Sequence, residues 1–256
     1  SFKEQLMKQV LSEAIEPEGA KSDDYLNGKS LINLKNGTLE ISGGDWKLRK
    51  PRMHDFMKYQ LSYTYDEHAK CPMFDNFLNT VLPDVEQQMV LLEYLGYLFV
   101  KPNVLNLEKS LILYGTGANG KSVLFNIVNA LLGGRENVSN YSLQNLTNES
   151  GYYRAMIGNK LVNYSSEING RLEAAVFKQL VSCEPVDARL PYGEPFTLTN
   201  YAKLIFNCNT LPNVVENSHS FFRRFLILSF GVTIPVEEQE SQLAHKIIVS
   251  ELPGVL

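Results

Sequence analysis

Eight consecutive residues carry a spacing with a chemical meaning: Gly115-Thr116-Gly117-Ala118-Asn119-Gly120-Lys121-Ser122. The pattern G-x-x-x-x-G-K-S describes a loop whose backbone N–H groups close around phosphate oxygens. Gly115, Gly117 and Gly120 are required because a Cβ would obstruct that approach, and the helix that follows points its positive end at the anion. Lys121 is placed to reach the β- and γ-phosphates and Ser122 to offer a hydroxyl to Mg²⁺, so the nucleotide-binding stretch is read as Gly115 to Val123. The ligand expected is ATP with Mg²⁺. No N-K-x-D string follows the later strands, which disfavours GTP.

The elements that must hold this loop are visible on both sides of it. Leu111-Ile112-Leu113-Tyr114 is a short apolar run, and Leu124, Ile127, Val128 and Leu131 recur at helical spacing, so the order is strand, loop, helix. Beyond Gly133-Gly134, Val138 to Ser150 reads as polar loop with a short turn. A second strand, Lys160 to Glu167, would deliver one carboxylate to its end. In open α/β sheets ligands sit at that edge, so Glu167 is the candidate to polarise the attacking water and to help hold Mg²⁺ through water. A third strand, Ala202 to Asn209, ends in an amide suited to the γ-phosphate or the lytic water. The fourth, Phe225 to Phe230, follows Arg223 and Arg224, whose guanidinium groups match phosphate geometry. Of the two, Arg224 is expected to act as an arginine finger in a neighbouring subunit, with Arg223 supporting it.

The series of P-loop, strand ending in Glu167, strand ending in Asn209 and Arg-Arg-strand resembles the superfamily 3 helicases. More closely, it is similar to the helicase part of phage and plasmid primase-helicases, relatives of the poxvirus enzyme. GTGANGKS from Gly115, KLVNYSSE ending at Glu167, KLIFNCNTLP from Lys203 and FRRFLILSF from Phe222 carry the resemblance, which covers roughly residues 30 to 256. It implies an AAA+-type P-loop ATPase core with a parallel central sheet, assembled as a hexameric ring on single-stranded or forked DNA. It also implies a channel hairpin between the second and third strands. Val186 to Leu190 and Phe196 to Thr199 alternate as hairpin arms around Pro191-Tyr192-Gly193-Glu194. Arg189 is placed there to contact phosphate and Tyr192 to stack a base. Lys178 and Lys203 are further channel candidates. The chain departs from the resemblance in having Ser166 where a second acid often stands and Cys183-Glu184 where a glycine-acid pair often stands.

N-terminal to the loop, residues 1–66 are read as an accessory segment with a helix over Ser1 to Gly19 and a β-hairpin about Asn36-Gly37. Trp46, Lys47, Arg49, Lys50 and Arg52 form a run that suits either nucleic acid or a solvated strand face, the second being favoured. Residues 67–105 are a helical unit, 106–232 the ATPase core and 233–256 a C-terminal helix. The chain has the look of a piece of a longer protein, whose primase domain, if one exists, would precede Ser1.

Composition narrows the classes. In 256 residues the net charge is −4, which argues against a uniformly basic duplex-coating surface and permits a local basic groove. Cys71, Cys183 and Cys208 and the four histidines fall in no zinc spacing, in keeping with a reducing cytoplasm. No apolar run approaches the roughly 20 residues of a membrane span and no signal peptide opens the chain, so a cytoplasmic protein without a membrane partner is expected. Two other readings stay open: a DNA-stimulated initiator or loader that does not unwind, and a P-loop small-molecule kinase.

Overall fold

The computed structural model describes residues 29–55, 57–166, 168, 173–210 and 219–256. The helix expected over Ser1 to Gly19 and the carboxylate at Glu167 lie outside the described residues.

Strands β1 (Lys29–Leu34), β2 (Gly37–Ser42) and β3 (Asp45–Arg49) form an antiparallel sheet in that order. Asn36-Gly37 starts the return of the first hairpin, Leu34 pairing with Gly37. The basic run on β3 is partly neutralised. Arg49 donates from Nε to Glu40 Oε2 (2.6 Å) and from Nη2 to Asp55 Oδ1 (2.7 Å), which holds the Asp55 carboxyl below its usual range. Trp46 stays exposed.

Helix α1 (Pro72–Val81) begins with proline in its first turn and buries Phe74, Phe77, Leu78 and Val81. Asp84 caps α2 (Val85–Tyr97), its carboxylate accepting from the Glu86 and Gln87 N–H groups. Leu91, Tyr94 and Leu95 face inward, whereas Val85 lies exposed in the first turn. The core sheet starts at β4 (Ser110–Tyr114), followed by α3 (Lys121–Leu131) and the two-residue strand β5 (Val138–Ser139). Then come α4 (Leu143–Thr147), α5 (Tyr152–Ala155), β6 (Val162–Ser165) and α6 (Ala174–Val181). A separate hairpin pairs β7 (Val186–Arg189) with β8 (Pro195–Leu198). The chain returns to the sheet with β9 (Lys203–Cys208), the turn of helix α7 (His219–Phe222) and β10 (Phe225–Ser229). It closes with α8 (Leu243–Ser250) and α9 (Leu252–Val255).

The five core strands are all parallel, in the order β10-β4-β9-β6-β5. Because β4 connects outward to β5 and the chain then steps back through β6 and β9 before jumping to β10, β4 lies at the point where the winding reverses. In open α/β sheets the crevice beyond the carboxyl end of such a strand is where ligands bind.

One apolar cluster joins all four segments expected from the sequence: Ile32 and Leu39, Phe74 and Tyr94, Leu113 and Ile127, and Ile247 and Leu252 belong to it. The clearest tie is polar. Glu251, 5 % exposed, accepts from the N–H groups of Met73 (3.0 Å) and Phe74 (2.9 Å) and so caps α1 from 177 residues away. No helix among the described residues is long and apolar enough to cross a membrane. Glu251→Ala is expected to lower the free energy of unfolding by about 2 kcal/mol, read by chemical denaturation, because two charge-assisted bonds at a helix N-terminus are lost.

Candidate functional site

The glycine loop leaves the end of β4 and turns directly into α3. Gly115 donates its N–H to Cys208 O of the neighbouring β9 at 3.0 Å, and a Cβ on Gly115 would sit 2.2 Å from Asn119 Nδ2 and 2.3 Å from Phe230 O. Gly120 has φ +81° and a Cβ there would lie 2.5 Å from Val81 Cγ1 and 2.9 Å from Phe77 Cε2. The helix face of α1 therefore abuts the back of the loop. Gly117, at φ +126°, faces open space, and Ala118 also adopts positive φ, +48°. These angles turn the loop so tightly that its peptide N–H groups converge.

Lys121 is 7 % exposed, and its ammonium donates to Gly115 O (2.6 Å) and to Asn119 Oδ1 (3.1 Å). Burial holds its pKa below the usual lysine value. Asn119 itself, 3 % exposed, donates from Nδ2 to Phe230 O at 3.0 Å, and Ile234 N–H donates to Ala118 O at 2.8 Å. The end of β10 and the segment after it are thereby strapped to the loop.

A cavity of about 1000 Å³ opens here, and Gly117 to Val123 line it together with Ser166, Asn207 and Asn209. Residues of α1 and of the segment between Ile234 and Leu243 also line it. Thr116 lies at the loop's outer turn, and Ser122 is exposed at the start of α3. The cavity is large enough for a nucleoside triphosphate, and the convergent loop fits its phosphates. Among the described residues no group of three or more His, Cys, Asp or Glu could hold a metal. A Mg²⁺ bound through one hydroxyl and the substrate's phosphates needs no such group, so Ser122 fits it.

Family models match two stretches: residues 113–224 match a family of unknown function (DUF5906), and residues 1–83 match a model described as D5 N terminal like. A protein of Acanthamoeba polyphaga mimivirus named "Putative helicase L207/L206" is 23 % identical over 246 residues, 90 % of this chain and 24 % of that protein. The chain thus spans about a quarter of that relative's length. An apo structure of the NrS-1 C-terminal region superposes with TM-score 0.56 at 13 % identity, covering 94 % of this chain and 68 % of that one. A second apo structure of the region gives 0.56 at 13 % identity over 92 % and 68 %. The likeness shows the fold. It is a mixed α/β core on a five-stranded parallel sheet, and its sequence relative is a helicase-like viral protein.

The remaining expected residues fall in three places. Arg223 and Arg224 precede β10, where Phe225 pairs with Ser110, whereas the loop follows Tyr114, which pairs with Ser229. The arginines therefore stand at the opposite edge of the sheet, a strand's length or roughly 16 Å from the loop. The two differ in exposure. Arg224 is 9 % exposed, with Nη1 bound to Ser220 O and Nη2 to Ser182 Oγ (3.2 Å), so packing consumes it. Arg223 keeps 54 % of its side chain exposed and lies 3.9 Å from Glu108.

Arg189 and Tyr192 sit on the β7–β8 hairpin. Arg189 Nε donates to Gly193 O, and Tyr192, at φ +59°, is fully exposed at the tip. The hairpin's base is clamped by Arg154, 6 % exposed, which donates to Asp187 O (2.7 Å), Leu146 O (3.0 Å) and Asn148 O (2.6 Å). Lys178 lies half-buried on α6. Lys203 donates from its ammonium to Val100 O (2.5 Å) and lies 4.5 Å above the Tyr97 ring, and burial pushes its pKa down to about 8. Its ammonium points into the body beside α2.

Two buried polar residues were not singled out from sequence, Arg154 and Asn207. Arg154 leaves no signature because its partners are backbone carbonyls. Asn207 stands two residues before Asn209, and strand alternation puts both on one face. Gly120→Ala is expected to lose about 3 kcal/mol of stability, from positive φ and the contact with Val81, against about 1 kcal/mol for Gly117→Ala, whose Cβ meets open space. Urea denaturation of the two variants measures the difference.

Proposed function

We propose that this chain is the ATP-hydrolysing core of a superfamily 3 DNA helicase of the phage and viral primase-helicase kind, an AAA+-type ATPase that works as a ring in replication. One observation carries the reading: the glycine loop with its buried Lys121, Ser166 at the end of β6 and Asn209 after β9 meet around a single cavity at the carboxyl edge of a parallel sheet. A small-molecule kinase needs no exposed arginine at the far edge of that sheet and no projecting hairpin tipped by a tyrosine. The helicase-like viral relative and the D5 N terminal like match support the same reading.

In this account the loop N–H groups and the Lys121 ammonium grip the phosphates, the ammonium exchanging Gly115 O and Asn119 Oδ1 for phosphate oxygens. The Ser122 hydroxyl and, through water, Glu167 would hold Mg²⁺, which would supply positive charge against the β- and γ-phosphates. Glu167 also polarises the attacking water, and Asn209 donates to that water or to the γ-phosphate. Arg223, out of reach of its own loop, serves the site of a neighbouring copy as the finger, while Arg224 braces the turn from which Arg223 projects. Tyr192 stacks a base and Arg189 meets phosphate as single-stranded DNA passes the hairpin.

ATP hydrolysis stimulated by single-stranded DNA tests the function. Wild type should show it and Lys121→Ala should not, whereas hydrolysis indifferent to DNA would favour the kinase. Arg223→Ala is expected to cut turnover ~10³-fold, measured at saturating ATP, with Arg224→Ala damaging thermal stability as well as turnover. Tyr192→Ala should weaken binding of a fluorescent oligonucleotide about tenfold, as the loss of one stacked base does, and Lys203→Met should leave it within about twofold.

A further inference from the structure

The cavity wall beside Lys121 carries two asparagines of different standing. Asn209 is exposed past the end of β9, whereas Asn207 is 7 % exposed. Asn207 Oδ1 accepts from the hydroxyl of Tyr164 at 3.0 Å. Tyr164 is fully buried on the adjacent β6, with its ring edge-on to Phe125 of α3 at 4.9 Å between centroids. Burial raises the phenol well above its usual pKa, so at working pH it remains an O–H donor. In this arrangement the amide turns its oxygen toward Tyr164. The carbonyl oxygen is taken by Tyr164, and Nδ2, with two N–H donors and no hydrogen-bond partner among the described residues, is left to the cavity that Asn207 lines.

An amide more than nine-tenths buried with two free donors is arranged for an anion or a water and repels a cation. It lines the same cavity as Lys121, Ser166 and Asn209. We infer that Asn207 is a second donor to the terminal phosphate of a bound nucleoside triphosphate, with Tyr164 as its positioning residue, so that the pair distinguishes triphosphate from diphosphate. The inference rests on the nucleotide site proposed above and adds to Asn209 a contact that is made ready by the fold before any nucleotide arrives.

The test compares affinities for ATPγS and ADP, each with Mg²⁺, by calorimetry on the full chain. Asn207→Leu should weaken ATPγS about tenfold or more while ADP stays within about twofold, as loss of one hydrogen bond to a charged group predicts. Asn207→Asp should weaken ATPγS further, because a carboxylate oxygen replaces the donor and repels the phosphate. Tyr164→Phe, which keeps the ring packing, should shift the ratio in the same direction by several-fold. Equal losses for both nucleotides, or an unchanged ratio in all three variants, would overturn the inference. Wild-type protein that binds neither nucleotide would instead remove the nucleotide site itself.

Discussion

A buried ammonium governs this structure. Lys121 can lie at 7 % exposure only because Gly115 O and Asn119 Oδ1 receive it, and those two oxygens are in place only because the loop between them is tightly turned. The turn in turn depends on parts of the chain far from it. Phe77 and Val81 of α1 press against Gly120, Phe230 at the end of β10 holds Asn119, and Cys208 of β9 holds Gly115. Glu251, near the last described residue, fixes the start of α1. The loop is therefore a product of the tertiary fold and not of eight residues alone.

That dependence has a mechanical side. The strand whose end holds Asn119 is β10, and β10 begins directly after Arg223 and Arg224. Asn119 is bonded to Phe230 O at one end of β10, and β10 pairs along its length with β4. In the proposed ring the same strand therefore joins the cradle of one copy to the arginine pair offered to the next. The β7–β8 hairpin is held similarly at its base, where Arg154 gives three of its N–H donors to backbone carbonyls of two other segments. Its exposed tip can then differ from its base in mobility without loss of placement.

Much of this was legible in the residues. The loop, the strands β4, β6, β9 and β10 and the β7–β8 hairpin follow from short apolar runs, alternation and glycine spacing, which are local signals. What stayed hidden was set by distant partners. Strand β5 is two residues long, too short to show a period, and exists because Val138 and Ser139 pair with β6. The order of Arg223 and Arg224 could not be read from adjacency, since Ser182, on a different helix end, decides which one is buried. Lys203 looked like a channel cation and is turned inward by Tyr97 and Val100. Asn207 had no sequence signal beyond its spacing from Asn209, because Tyr164, 43 residues earlier, makes it significant.

In the proposed ring each ATP pocket is completed by a guanidinium from a second copy of the chain. Mixing Lys121→Ala protein with Arg223→Ala protein, each inactive alone, tests it most directly. If the pocket is shared, mixed assemblies contain an intact cradle facing an intact Arg223, and ATP hydrolysis stimulated by single-stranded DNA should reappear in the mixture. Activity that stays at the sum of the two separate preparations, once exchange of copies has been verified, would contradict the shared pocket.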